Sequence, residues 1–174
     1  KPMAPFTTSS LQQEAFKRLN FTTKKTMMMA QQLYEGVNIG KEGSVGLITY
    51  MRTDSVRISE TAVADIRSFV EAEYGPNYLP TKPNIFSSKK NAQDAHEAIR
   101  PTSIERTPES LEAYLSKDQL KLYGIIWKRA LASQMAEAIY DVTTLQVEAG
   151  EYLLNASGSI LKFDGFLKLS DKKE

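Results

Sequence analysis

The chain has 174 residues, 22 Lys and Arg against 21 Asp and Glu, a hydrophobic fraction of 41%, one histidine and no cysteine. These proportions belong to a folded globular protein, and they exclude a polybasic chain that coats duplex DNA by charge alone, a disulfide framework, and a thiolate or histidine-based metal site. No signal peptide or apolar run of membrane-spanning length is seen, so a cytoplasmic location is expected, and the sequon at Asn155-Ala156-Ser157 is read as chance.

The first stretch, "KPMAPFTTSSLQQEAFKRLNFTTKKTMMMAQQLYEG", predicts two helices with a short link, each preceded by hydroxyl residues suited to N-capping. Ser9 or Ser10 with Gln12 or Gln13 has capping-box spacing, and Gly36 is a natural stop for the second helix. Such a pair suggests a helix-turn-helix, though any small helical domain contains one. Met27, Met28 and Met29 are expected to fill core space, and Lys17, Arg18, Lys24 and Lys25 form either a solvated face or a groove-binding patch.

"GVNIGKEGSVG" predicts a mobile loop or hairpin, without the spacing of a phosphate-binding loop, and leads into a short strand, "LITYMR". Ser59 is expected to open a helix to about Tyr74 that buries Ile66, Phe69 and Val70 and closes at Gly75-Pro76. Helical spacing in "NAQDAHEAIRP" places His96 and Arg100 on one face before Pro101. Thr107-Pro108-Glu109 starts another helix, and Ser116 with Gln119 caps a longer one that buries Leu120, Ile125, Trp127 and Leu131. "YDVTTLQVEAGEYLLNASGSILKFDGFLKL" predicts a β-meander with turns at Ala149-Gly150-Glu151 and Ser157-Gly158. Two or three strands cannot cover their own faces and edges. The expected class is therefore α+β, with a helix-rich domain over 1–136 and part of a β-rich domain over 137–174.

In "GLITYMRTDS" the period of a strand sets Tyr50, Arg52 and Asp54 on one face and Met51 and Thr53 on the other. A tyrosine hydroxyl gives up its proton only near pH ~10, so a nucleophilic Tyr50 needs positive charge beside it. Arg52 supplies that charge, and its planar guanidinium matches a phosphodiester. His96 with Arg100 makes a second phosphate-contacting pair. The same residues also admit a packing role for Tyr50, a surface ion pair between Arg52 and Asp54, and a structural His96.

The segment "GLITYMRTDS" closely resembles the active-site segment of the bacterial type IA DNA topoisomerases, the topoisomerase I family. "PFTTSSLQQEA", "KKTMMMAQQLYEG", "NAQDAHEAIRPT", "LYGIIWKRALASQM" and "LKFDGFLKL" resemble that family in the same order, so the likeness runs over essentially the whole chain. The resemblance implies that Tyr50 attacks a backbone phosphate of single-stranded DNA to form a 5′-phosphotyrosine link. Strand passage and rejoining then relax negative supercoils without ATP. It further implies that Arg52 contacts the scissile phosphate, and that His96 and, as a weaker carry-over, Arg100 bind DNA. In fold, it implies a winged-helix-like domain beside an incomplete gate domain. An N-terminal acidic domain that binds Mg2+ completes the active site in that family and matches nothing here, so the chain is expected to be a central fragment, inactive alone, in a bacterial, nucleoid-associated enzyme. Its expected partners are single-stranded DNA, that acidic domain and the rest of the gate domain. The alternatives are a winged-helix module that binds single-stranded DNA without cutting it and a protein-interaction scaffold.

Overall fold

The computed structural model describes residues 1–86 and 96–170. It is α+β, with 44% of the described residues helical and, among them, two small antiparallel sheets. Helix α1 (Thr8–Leu19) begins at a reciprocal cap in which the Ser10 N–H donates to the Thr7 hydroxyl and the Thr7 N–H donates to the Ser10 hydroxyl. The cap thus lies upstream of the expected Ser9 or Ser10. A tertiary bond decides the matter: the Thr8 N–H donates to the Thr53 carbonyl at 2.9 Å, so the helix starts where that donor is already satisfied. Helix α2 (Thr23–Glu35) is capped by Thr22 and stops at Gly36, whose φ of 128° a side chain rarely adopts. Of the three methionines, Met29 is buried and Met27 packs at the core margin, whereas Met28 is half exposed, as a 100° turn per residue requires.

The glycine-rich stretch is a small hairpin, β1 (Val37–Asn38) with β2 (Ser44–Val45). The strand expected next does not form a ladder; residues 46–58 cross the molecule as an irregular segment in which Ile48 makes a single bridge to Pro101. Helix α3 (Glu60–Tyr74) follows, with Ser59 as its cap and Ala62, Ile66, Phe69 and Val70 buried, as the sequence predicts. The helical reading of 91–101 fails where the chain is described: residues 96–102 are non-helical and bridge at Ile99 to Phe6 and at Pro101 to Ile48, while 91–95 lie outside the described residues. Pro101 disfavours helical geometry at Arg100, and those bridges supply the alternative pairing.

Thr107-Pro108-Glu109 yields only a 3₁₀ turn, Glu109–Leu111. The reciprocal cap of Ser116 and Gln119 opens α4 (Lys117–Ser133), the helix on which α1, α2 and α3 all pack. Its core face is Leu122, Tyr123, Ile126, Trp127, Ala130 and Leu131; the expected Leu120 and Ile125 are only partly buried beside it. Trp127 meets Phe69 edge-on at 5.7 Å and donates its indole N–H to the Ile104 carbonyl, which satisfies its polar atom inside the core.

Beyond α4 the expected meander is a single long hairpin. Strand β3 (Ile139–Ala149) pairs antiparallel with β4 (Tyr152–Phe163) around Gly150-Glu151. Ser157 and Gly158 are not a turn but ladder residues opposite Thr144 and Thr143, because the tight turn at Gly150 sets one register that runs on through them. The chain then returns to the helical body: Phe166 and Leu169 pack at the core margin, the Phe166 N–H donates to the Ala136 carbonyl, and the Tyr78 hydroxyl bonds the Asp164 carboxylate at 2.7 Å.

At Gly46 the crossing segment passes close against the end of α2. A Cβ there would lie 2.7 Å from the Tyr34 carbonyl oxygen. We expect Gly46→Ala to push the end of α2 away and lower the unfolding free energy by about 1–3 kcal/mol, read as a reduced denaturation midpoint; an unchanged midpoint would show that the contact relaxes freely.

Candidate active site

The crossing segment is buried on one side and open on the other. Met51, Thr53 and Ser55 are buried, and Tyr50, Arg52 and Asp54, which alternate with them, are exposed. The alternation expected of a strand therefore holds without a strand. It is imposed by anchors on both flanks of Tyr50.

On one flank the Leu47 N–H donates to the Leu33 carbonyl of α2, the Thr102 N–H to the Leu47 carbonyl, and the Thr49 N–H to the Arg100 carbonyl. The Thr49 hydroxyl donates to the Ala98 carbonyl at 2.7 Å and accepts from the Arg100 N–H at 3.0 Å. On the other flank the Thr8 hydroxyl bonds the Met51 carbonyl at 2.7 Å and accepts from the Thr53 N–H at 2.9 Å. Thr49 and Thr8 are thus the positioning residues that the sequence reading missed. Thr8 looked like one more capping hydroxyl, and nothing local distinguishes a threonine that bonds 45 residues away.

Tyr50 is 42% exposed, and its ring meets the Tyr34 ring at 5.3 Å with an interplanar angle of 63°. Arg52 and Asp54 make no ion pair or hydrogen bond with any described residue, so the surface pair weighed for them does not form. The Arg52 guanidinium keeps its donors for an outside group.

His96 is exposed, at one end of the 96–102 segment that Thr49 ties to the Tyr50 segment. Arg100 is arranged differently. Its Nε donates to Glu97 Oε2 at 2.6 Å and its Nη1 to the Pro101 carbonyl at 3.1 Å, with only 14% of the side chain exposed. The structure therefore does not present His96 and Arg100 as an open phosphate-binding pair. Burial tends to raise the Glu97 carboxyl, but the hydrogen bond and charge of Arg100, the Ser59 N–H and the charge of Arg57 outweigh it and hold Glu97 below its usual value.

Among the basic residues of α1 and α2, Lys25 is paired with Asp118 at 2.7 Å and lies over the Phe21 ring, and Arg18 bonds Glu14. Lys17 and Lys24 are exposed. Among the described residues no group of three or more His, Cys, Asp or Glu side chains gathers where a metal ion could be held, and no helix is long and apolar enough to cross a membrane.

A family model described as DNA topoisomerase matches residues 1–174. DNA topoisomerase 1 of Rickettsia conorii is 58% identical over 171 residues, which is 97% of this chain and 22% of the relative. DNA topoisomerase 1 of Xylella fastidiosa strain 9a5c is 52% identical over 174 residues, 99% of this chain and 21% of the relative. Among solved structures, full-length topoisomerase I from Thermotoga maritima superimposes with a TM-score of 0.84 and 43% identity, covering 99% of this chain and 28% of that one. The chain spans about a fifth of the length of these curated relatives.

The Glu97 carboxylate gives a pH test. Its folded pKa is depressed, so its stabilisation is complete above the ordinary value of 4.5 and disappears as pH falls through the depressed one. Glu97→Gln should lower the urea midpoint at pH 7, and the gap to the parent chain should close towards pH 3. A gap that persists in acid would mean that the side chain acts by shape and not by charge.

Proposed function

The chain belongs to the DNA topoisomerase family, and on that premise we propose that it is the nucleophile-bearing segment of a type IA enzyme that cuts and rejoins single-stranded DNA. One observation carries the reading: Tyr50 and Arg52, two residues apart, both stand exposed on a segment whose buried residues are clamped. In this reading the Tyr50 oxygen attacks a backbone phosphorus, the bond from phosphorus to the 3′ oxygen breaks, and the DNA 5′ end is left esterified to Tyr50. The proton lost by the phenol is matched by one gained at the 3′-hydroxyl. Rejoining is the same exchange reversed. One phosphate ester is traded for another at each step, so strand passage and relaxation of negative supercoils need no ATP.

Arg52 holds the non-bridging oxygens of the scissile phosphate, where its charge opposes the negative charge that builds in the transition state. His96 contacts the strand nearby. Arg100 serves through Glu97, keeping the 96–102 segment in place, and contributes little direct contact to DNA. The described residues offer no cluster that fits a resident Mg2+ ion, so no step here passes through one. Mg2+, the acidic domain that binds it and the remainder of the gate domain are assigned to regions of a longer chain. The exposed hairpin β3–β4 is the part of the present chain that joins that β-rich region, the helical part being the winged-helix-like domain.

The half-exposed Tyr34–Tyr50 ring pair also suits stacking against unpaired bases, which favours, as the second reading, a single-strand-binding module that never cuts. One experiment separates the two. The chain is mixed with the separately produced acidic domain of a relative, Mg2+ and a labelled single strand; assembly is checked by titration, and any covalent adduct is mapped by peptide mass spectrometry. We expect an adduct on Tyr50, none in Tyr50→Phe with DNA binding retained, and adduct formation slowed by roughly 10²–10³-fold in Arg52→Ala. Full assembly with no adduct would leave Tyr50 as a DNA-contacting aromatic. The purified chain with Mg2+ alone should leave negatively supercoiled plasmid unrelaxed, and relaxation would overturn the assignment of missing regions.

A further inference from the structure

The anchors described above fix the backbone of Tyr50 but not its ring. Thr49 is held through its N–H and its hydroxyl, and Met51 is buried with its carbonyl bonded to Thr8, so the Cα of Tyr50 has little freedom. The phenol itself has no hydrogen-bond partner among the described residues, and its side chain is open to solvent over much of its surface. An unrestrained aromatic in that position distributes among staggered rotamers. Among the described residues its one aromatic contact is the Tyr34 ring, edge-on at 5.3 Å.

Tyr34 is well placed to hold that contact. It lies in the last turn of α2, where its carbonyl approaches Gly46 so closely that no Cβ fits between them. The preceding residue, Leu33, accepts the Leu47 N–H at 2.8 Å. Backbone contacts on both sides therefore register the end of α2 against the segment that bears Tyr50. The ring contact lies in the same place.

We propose that Tyr34 is a positioning residue: its ring confines Tyr50 to the rotamer from which the phenol meets the phosphate. This rests on the nucleophilic role of Tyr50 proposed above. Tyr34 touches neither the phosphate nor the leaving oxygen in this scheme, and its hydroxyl is dispensable. Its effect is to remove the non-reactive orientations of Tyr50 before DNA arrives, so it acts on the rate of attack and not on DNA affinity.

The test has two arms. In the first, 3-fluorotyrosine is incorporated at position 50 of the 174-residue chain and observed by fluorine NMR. The parent chain and Tyr34→Phe should give the same chemical shift, whereas Tyr34→Leu should shift the signal towards that of a solvent-averaged tyrosine. In the second, single-turnover adduct formation is measured in the assembly with the acidic domain. From the usual strength of an aromatic pair, Tyr34→Leu should slow the step by about two- to tenfold at saturating DNA with the Kd unchanged, and Tyr34→Phe should restore it.

An unchanged rate in Tyr34→Leu, or an effect confined to the Kd, would overturn the proposal, as would failure of Tyr34→Phe to restore the rate. Should Tyr50→Phe still form the adduct, the nucleophile assignment fails instead. The fluorine signal would then still decide whether Tyr34 orders the ring at position 50.

Discussion

A buried backbone segment that belongs to no sheet must have its polar groups paired by other elements, and residues 47–57 live under that constraint. Leu47, Ile48 and Met51 are core residues, so the segment cannot lift into water. Its N–H and carbonyl groups are met by the last turn of α2, the first turn of α1 and the 96–102 segment, and two threonine hydroxyls supply bonds that backbone atoms do not. Three distant parts of the chain are therefore tied to one eleven-residue stretch. Side chains that alternate out of it inherit rigid attachment points without being packed themselves.

That arrangement separates the two arginines that the sequence offers as phosphate contacts. Arg52 projects from the open side and keeps its donors uncommitted, whereas Arg100 folds back on Glu97 and the Pro101 carbonyl and is mostly covered. A covered guanidinium gives up hydration and must have partners on hand; Glu97 provides a charged one and is itself tied to the cap of α3. The outcome is one arginine suited to grip an external anion and one that braces the strand-like segment beside it. Residue type alone does not distinguish those roles.

The hairpin poses the opposite problem. Every residue from Ile139 to Lys162 is exposed, including Leu145, Val147, Tyr152, Leu154 and Ile160, which share one face, with Val147 directly opposite Leu154. A two-stranded ribbon with an open apolar face gains little from burial, so its geometry depends on the register set at Gly150 and on its base. At the base, the Phe163 ring meets the Tyr78 ring at 4.9 Å, tilted by 47°, and Tyr78 also bonds Asp164, while the Ala136 N–H donates to the Tyr78 carbonyl. The ribbon is thus anchored at one end to the helical body.

Much of this was legible in the residues. Hydroxyl caps at Thr22, Ser59 and Ser116, the stops at Gly36 and Gly75 and the apolar spacing of α3 are local signals, because capping and helical periodicity are settled within a few residues. The alternation that exposes Tyr50 and Arg52 is likewise local, and the ordered blocks of the topoisomerase I resemblance marked the family before any coordinate did. What the sequence could not determine were the choices made by contacts across the chain. Thr7 and not Ser9 or Ser10 caps α1 because Thr53 takes the Thr8 N–H; 96–102 is strand-like because Phe6 and Ile48 pair with it; Ser157-Gly158 stays in a ladder because Thr143 and Thr144 lie opposite. In each case several local conformations were close in energy, and a hydrogen bond to a partner distant in sequence selected one of them.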